Sequence, residues 1–320
     1  MDASAEGRRI DWEETACPLC GGTRRERVID ASDPLPGNLP PGENSAFHFR
    51  VVRCHDCGLS YTNPRPSPSS IGRFYPDDYA PYQLRDSGRK LQKWRPWSRR
   101  DAFASVLPLP PGGRLLDFGC GAGDMLREMN QRGWRVTGMD FSPRVVRFIR
   151  EQLGLPAVEG TLPHPELQAG SFEAITMSQS LEHVHDPLRV LRAAYCLLAP
   201  GGKLAVAVPN IDSLPFRWFG ADWYGLDVPR HLTHFTPSTL VRMLERAGFS
   251  VTAVRLIRHN SWLRRSVSLA QRHPDRHPVW RRLMHYRLAA SLAGWYSLAQ
   301  KQANCILAVG VRETRTGTRP

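Results

Sequence analysis

The sequence predicts an α/β protein: a doubly wound, mainly parallel sheet of seven strands preceded by a small metal-binding head. Three observations predict it. From Arg114 onward, short apolar strands alternate with helix-like segments, the pattern of a parallel sheet covered on both faces. The chain has 320 residues, enough for one such domain and an appendage. Four of its seven cysteines form two Cys-x-x-Cys pairs, Cys17/Cys20 and Cys54/Cys57, which suits a metal site in a reducing compartment better than a disulfide framework.

The elements follow in order. "FHFRVVRC" (Phe47 to Cys54) reads as a strand feeding the second pair, after a loop holding Pro34, Pro36, Pro40 and Pro41. "NPRPSPSS" breaks the chain, and Ser69 is placed to cap a short helix through "IGRFY". Residues 76–105 are aromatic and basic. Then come the strand "RLLDF", a helix from Asp124 ending at Gly133, and the strand "WRVTGMD". Ser142 and Pro143 open the next helix as N-cap and first-turn proline. "AVEG" and "FEAITM" are strands three and four; "DPLRVLRAAYCLLAPGG" is a helix, and "KLAVAVP" the fifth strand. Thr236 caps the helix "TPSTLVRMLERAGF", followed by the strands "SVTAVRLIR" and "NCILAVGVRE". The predicted organisation is a zinc-binding head over 1–63, a helical linker over 64–105, and the α/β domain over 106–313 with a helical insertion over 259–303.

The composition, 41% hydrophobic and 23% charged, excludes a disordered chain. No stretch approaches the ~20 apolar residues of a membrane span. The first residues are acidic and polar, unlike a secretory signal, so a cytoplasmic location is expected. The net charge of +13 invites an acidic partner, or reflects scattered arginines on an ordinary surface.

The most informative stretch is "LLDFGCGAGD". A P-loop would end in Lys-Ser/Thr, and this one does not. A dinucleotide fingerprint would read GxGxxG; Gly119, Gly121 and Gly123 read GxGxG, with Asp124 where a pyrophosphate would meet the helix N-terminus. The ligand is therefore expected to be compact and to tolerate carboxylates.

"LDFGCGAG", Asp140 closing the second strand, "SFEAITMSQSLEHVHDP" and "LLAPGGKLAVAVPN" together resemble the class I S-adenosylmethionine-dependent methyltransferases, over residues 105–258 and 304–313. The resemblance implies a Rossmann-like seven-stranded methyltransferase sheet and S-adenosylmethionine as cosubstrate. Position by position, it implies that Gly119, Gly121 and Gly123 approach the amino-acid and ribose portion, with Asp117 beside them. It makes Asp140 the ribose acceptor and sets Phe141 against the adenine. Gly160 and Thr161 would flank the adenine edge, although many relatives carry an acid where Thr161 stands. Ser178 and Gln179 would lie at the methionine end.

The cysteine pairs read on their own terms. Each knuckle brings two thiolates to one ion, and four thiolates close a tetrahedral zinc shell, so a structural zinc on Cys17, Cys20, Cys54 and Cys57 is expected. His55 inside the second knuckle is expected to be exposed rather than a ligand. The stretch "RCHDCGLSYTNPRPSPSSIGRFYPDDY" is similar to the zinc-ribbon segment of some bacterial methyltransferases, often ones acting on sugars or cell-surface precursors.

Methyl transfer to oxygen or acidic carbon calls for a base near neutral pKa. His231 is the first candidate and His183 the second, both on loops at the carboxyl edge of the sheet. Glu182 and His183 could instead orient the next helix, and His234 is a weaker candidate. Trp218, Trp223 and Tyr224 could wall a ring-shaped substrate. Tyr75, Tyr79 and Tyr82 could reach over the site, or pack the head onto the domain. In the insertion, Trp280, Met284, Leu288, Leu292, Trp295 and Ala299 recur at helical spacing beside several arginines. A lid over the cleft is the first reading, and peripheral membrane contact the second.

The leading expectation is a small-molecule methyl acceptor, a sugar or cell-envelope or secondary-metabolite precursor methylated at O or C. Quinone or aromatic O-methylation is the alternative, and a zinc-ribbon RNA methyltransferase the third reading. Nucleic acid is not the expected partner, because the head lacks a basic aromatic strand.

Overall fold

In a computed structural model, residues 10–35, 48–75, 79, 99–108, 112–273 and 279–314 are described. Pro36, Pro40, Pro41, Tyr82, most of the predicted linker and the side chains of Trp280 and Arg281 lie outside the described residues.

The head comprises β1 (Trp12–Glu13), β2 (Arg25–Ser32), β3 (His48–Cys54), β4 (Ser60–Thr62) and β5 (Arg65–Pro66), then a 3-10 turn over Ile71–Phe74. Ser69 does not cap that turn; the N-cap is Ser70, whose Oγ instead accepts from the Asp11 N–H at 2.9 Å. The domain proper runs α1 (Arg99–Val106), β6 (Arg114–Phe118), α2 (Asp124–Gln131), β7 (Arg135–Asp140), α3 (Pro143–Gln152), β8 (Ala157–Glu159), β9 (Phe172–Ser178), α4 (Pro187–Leu197) and β10 (Leu198–Pro209). After β10 come α5 (Leu214–Phe219), β11 (Thr233–His234), α6 (Pro237–Arg246), β12 (Ser250–Ile257), α7 (Asn260–Ala270), α8 (Arg287–Ala299) and β13 (Cys305–Val311).

The large sheet has seven strands in the order β12-β13-β10-β9-β6-β7-β8, the number the sequence predicts. β8, β7, β6, β9 and β10 are parallel; β13 is antiparallel to both β10 and β12. The chain winds outward from β6 to β8 and then in the other direction from β9. That reversal opens a crevice at the carboxyl ends of β6 and β9, where ligands bind in such sheets. Burial alternates with period two along the strands. Leu116, Ile175, Leu204, Val206 and Ile306 face one layer; Leu115, Ala174, Ala205, Ala207 and Leu307 face the other. The caps form as read: Ser142 Oγ accepts from Val145 N, and Thr236 closes a capping box with Thr239.

The head does not stand apart. Its four-stranded sheet has the order β11-β4-β3-β2, and β11 comes from the long loop after β10. Cys17, Val52, Leu59 and Tyr61 join one core layer of the large sheet. A third core, including Phe49, Phe74, Trp223, Leu263 and Met284, ties the head to that loop and to the insertion. The pairing of β11 with β4 has no short-range signal, because strands of two and three residues show no periodicity.

Candidate active site

The crevice holds a cavity of about 520 Å³. One end is built by the loops after β6, β7 and β8. Gly119, Gly121 and Gly123 have φ of 72°, 49° and 76°, the left-handed region that glycine enters without strain. The loop also leaves no room at Gly119, where a Cβ would lie 2.5 Å from Ser180 Cβ. Asp140, at the end of β7, is 4% exposed and lines the cavity. Its Oδ2 accepts from Gly121 N and its Oδ1 from Ser142 N, each at 3.0 Å. Burial pushes its carboxyl above the ordinary range, against the pull of these backbone donors. The Phe141 N–H is a third backbone donor to this carboxylate, whose two oxygens offer about four acceptor sites in all. Phe141 stands half-exposed at the rim, and Gly160 and Thr161 continue the same wall.

Three residues expected at this end are not on its surface. Asp117 is buried beneath the loop and accepts from Thr176 Oγ1 at 2.7 Å. Gly123 lies under the loop at the head of α2, packed against Ile149 and Leu153. Ser178 ends β9 with its hydroxyl buried. None of the three lines the cavity, whereas Gln179 and Ser180 do. The strand alternation explains it: Gln179, at φ 58°, turns the chain toward the crevice just after Ser178.

The other end is walled by Pro68, Ile71, Tyr75 and Tyr79 from the chain leaving the head, and by His183, Val184, His185 and Arg189. The tyrosines therefore reach over the site. The Tyr75 ring packs on Phe141 with centroids 5.4 Å apart. His183 Nδ1 lies 3.0 Å from the Tyr75 hydroxyl and 3.1 Å from the Arg230 carbonyl. Burial lowers the His183 pKa to about 4, with the Arg230 charge assisting and Asp227 opposing.

His231, the first candidate for a base, does not line the cavity. It is 6% exposed, its Nδ1 faces the Gly225 carbonyl at 3.0 Å, and its ring packs edge-on against His183 at 4.6 Å. Its Nε2 lies 3.9 Å from Glu182 Oε1 and from Asp227 Oδ2. Glu182, His183 and His231 bring one ligand atom each within 4.8 Å of one another, so the three also form a possible cation site. His234 is turned into the head, with Nε2 3.1 Å from Thr62 Oγ1. Trp223 is buried in the third core, and Trp218, Tyr224 and the described residues of the insertion contribute nothing to the cavity wall. The described part of the insertion is thus not a lid on this cavity.

Behind the wall lies a network that the motifs gave no reason to expect. Arg230 is fully buried; it donates to Asp33 at 2.6 and 3.3 Å, to Asp227 at 2.8 and 3.0 Å, and to the Phe74 carbonyl at 2.7 Å. Tyr79 donates to the other oxygen of Asp227 at 3.1 Å. Burial alone would raise the Asp227 carboxyl; Arg230 and His231 bring it down to about 2. Burial dominates at Asp33, which stays above the ordinary range despite Arg230. Arg230 and Asp227 sit within "DVPRHLTH", where the histidines are the residues that chemistry at neutral pH singles out, and Asp33 is 197 positions from Arg230.

The four head cysteines converge, with their sulfurs within 4.8 Å of one another; Cys17 and Cys57 Sγ are 3.3 Å apart, and Cys20 and Cys54 Sγ 3.5 Å. Each knuckle closes by a backbone bond, Gly21 N to the Cys17 carbonyl and Gly58 N to the Cys54 carbonyl, at 2.8 and 2.9 Å. Ligands ~2.3 Å from a tetrahedral zinc sit roughly 3.8 Å from each other, so the donor set fits with little adjustment. His55 is exposed, outside the cluster.

A family profile described as "Methyltransferase domain" matches residues 89–254. The chain is 32% identical over 176 residues to the ubiquinone biosynthesis O-methyltransferase of Xanthomonas axonopodis pv. citri (strain 306), covering 51% of this chain and 74% of that one. It is 32% identical over 183 residues to the enzyme of the same name from Xanthomonas campestris pv. campestris (strain B100), covering 52% and 75%. Among solved structures, an S-adenosylmethionine-dependent methyltransferase from Mesorhizobium loti aligns with a TM-score of 0.45 at 20% identity, over 66% of this chain and 96% of that one.

Proposed function

The chain belongs to the S-adenosylmethionine-dependent class I methyltransferases, and we propose that it methylates a hydroxyl on a flat aromatic acceptor, a phenol or quinol. The cavity carries this reading. Its far end is walled by the Tyr75 and Tyr79 rings, Ile71, Pro68 and Val184, with His183, His185 and Arg189 beside them; a slot of rings and apolar side chains with a small set of convergent polar groups suits a flat aromatic acceptor that carries a hydroxyl. The names of the two Xanthomonas relatives favour the same choice. The sugar or cell-envelope acceptor read from the head has no comparable support.

When bound, S-adenosylmethionine supplies a methyl group on a sulfonium sulfur, which departs as a neutral thioether. Asp140 would accept from the ribose hydroxyls with the acceptor capacity its backbone donors leave over. Phe141 lies against the adenine, with Gly160 and Thr161 at its edge. The bare backbone of Gly119 and Gly121 admits the amino-acid portion, and Gln179 closes the methionine end. Gly123, Asp117 and Ser178 support this surface from below.

His183 is the proposed base in place of His231. With Nδ1 engaged by the Arg230 carbonyl and the Tyr75 hydroxyl, Nε2 carries the lone pair for the acceptor proton. A pKa near 4 keeps the ring neutral and able to accept throughout the neutral range. So weak a base takes a phenolic proton, pKa ~10, only as the new O–C bond forms. Tyr75 and His231 hold the ring, and the Asp33–Arg230–Asp227 network holds the loop that carries His231. A structural zinc on Cys17, Cys20, Cys54 and Cys57 would keep the head in place beneath Pro68, Ile71 and Tyr75.

The test is a panel of catechols, quinols and nucleotide sugars with methyl-labelled cosubstrate. Label is expected in catechol or quinol products; label in sugars alone overturns the reading. With an acceptor in hand, His183→Ala should lower turnover by ~10²–10⁴ with cosubstrate affinity nearly unchanged, while His231→Ala costs less.

A further inference from the structure

Helix α8 in the insertion buries its small side chains and exposes its large ones. Ala290, Gly294 and Ser297 face the protein. Leu288, Leu292, Trp295 and Tyr296 face solvent, each more than half exposed. At 100° per residue the exposed four span an arc of about 100°, a full apolar face on the outer side. Leu283 and Tyr286, just before the helix, extend it. The orientation is fixed by packing. A Cβ at Gly294 would collide with the Asn260 side chain of α7, so a larger residue cannot take the inner face. A contiguous exposed face of this kind marks an interaction surface.

Its charge selects the partner. Residues 259–303 carry eight Arg or Lys against a single acid, Asp275, a net of +7 within the chain's +13. Arg282 and Arg287 are exposed beside the face, and the Arg258 guanidinium lies 4.0 Å from the centroid of the Trp295 ring. A second copy would set two such basic surfaces against each other. An anionic lipid surface offers negative headgroups to the arginines and an acyl boundary to the leucines, with Trp and Tyr at the level where they concentrate in bilayers. Among the described residues no helix is long and apolar enough to cross a membrane, so any contact is with its surface.

We infer that α8 and the turn before it dock the protein peripherally on an anionic membrane, Leu288, Leu292 and Trp295 entering the headgroup boundary while Arg282 and Arg287 meet the lipid charge. The inference is independent of the acceptor; an acceptor of quinol type would be met at that surface.

The test is co-sedimentation of the full chain with phosphatidylcholine vesicles, with and without phosphatidylglycerol. The chain should sediment with the mixed vesicles and stay in solution with phosphatidylcholine alone. Arg282→Glu with Arg287→Glu should weaken partitioning roughly tenfold or more, and added salt should do the same to the parent. Leu292→Glu with Trp295→Glu should abolish it. Both variants should keep S-adenosylmethionine affinity, which shows that they fold. Failure of the parent to bind mixed vesicles, or undiminished binding by the leucine–tryptophan variant, overturns the inference. So does a dimer by light scattering that the same variant turns into a monomer with no vesicle binding by either.

Discussion

Replacing Arg230 with methionine removes the cation that, among the described residues, a buried group of two carboxylates shares. Arg230 is fully buried, and the Asp33 and Asp227 side chains are 1% and 13% exposed. The substitution strands both acids, and breaking a buried pair in this way costs about 3–5 kcal/mol. Asp33→Asn acts differently. Burial already holds the Asp33 carboxyl above its ordinary range in spite of Arg230, so desolvation outweighs the attraction there. An amide can still accept from Arg230 and from Leu35 N, now 2.9 Å away, without the buried charge. Asp33→Asn should therefore lie within about 1 kcal/mol of the parent. Urea denaturation of metal-loaded protein near neutral pH, followed by tryptophan fluorescence, measures both. Equal losses in the two variants, or an Arg230→Met variant as stable as the parent, would refute the view that this cation neutralises an otherwise unfavourable pair.

Three further outcomes follow from local geometry. Purified protein should hold about one zinc per chain, and Cys17→Ser with Cys20→Ser should lose it and loosen the head; metal-free protein with full stability and activity would refute a structural role. Gly123→Ala should cost about 1–3 kcal/mol, because its Cβ would lie 2.6 Å from Leu153 Cδ1, and closer still to Ile149, at a φ of 76°; an unchanged melting temperature would count against that packing. The buried histidines make the fold acid-labile. His183 falls from 6.5 to about 4 and His234 to about 3 by burial, so the unfolded chain binds protons first as pH drops. Stability is full above pH ~6.5 and declines below it toward pH ~4, by up to ~1.4 kcal/mol per pH unit for each histidine. Melting temperatures that stay flat between about pH 7 and 5 would contradict these burials.

The parts of the molecule legible in the sequence are those whose signal is local. The glycine elbow, Asp140 at the end of its strand, the Ser142 and Thr236 caps and the two cysteine knuckles each declare themselves within a few residues. The surface of the cavity was only partly legible. Asp117 and Ser178 carry motif-like side chains, but strand alternation and the turn at Gln179 keep them off the wall. On sequence, His231 stands ahead of His183 as a base because its loop also carries aromatic residues and precedes a capped helix, and its burial behind His183 depends on β11 joining the head sheet. That pairing, the reach of Tyr75 and Tyr79, and the Asp33–Arg230 contact join segments far apart in sequence through elements too short to show a period. The apolar stripe on α8 was visible as periodicity. Periodicity does not say which side of a helix meets the core, and here Ala290, Gly294 and Ser297 do.

The most direct test of the account is calorimetric titration of S-adenosylmethionine into the parent chain and into Asp140→Asn. The amide keeps the shape of the carboxylate and can still accept from the Gly121 or Ser142 N–H, so a melting curve can establish that the loop survives. The account predicts one site in the parent and binding roughly 10- to 100-fold weaker in the variant, the loss of about one charge-assisted hydrogen bond worth ~1.5–3 kcal/mol. A parent that binds no S-adenosylmethionine, or a folded variant that binds it as tightly as the parent, would contradict the assignment of this cavity and of Asp140 within it.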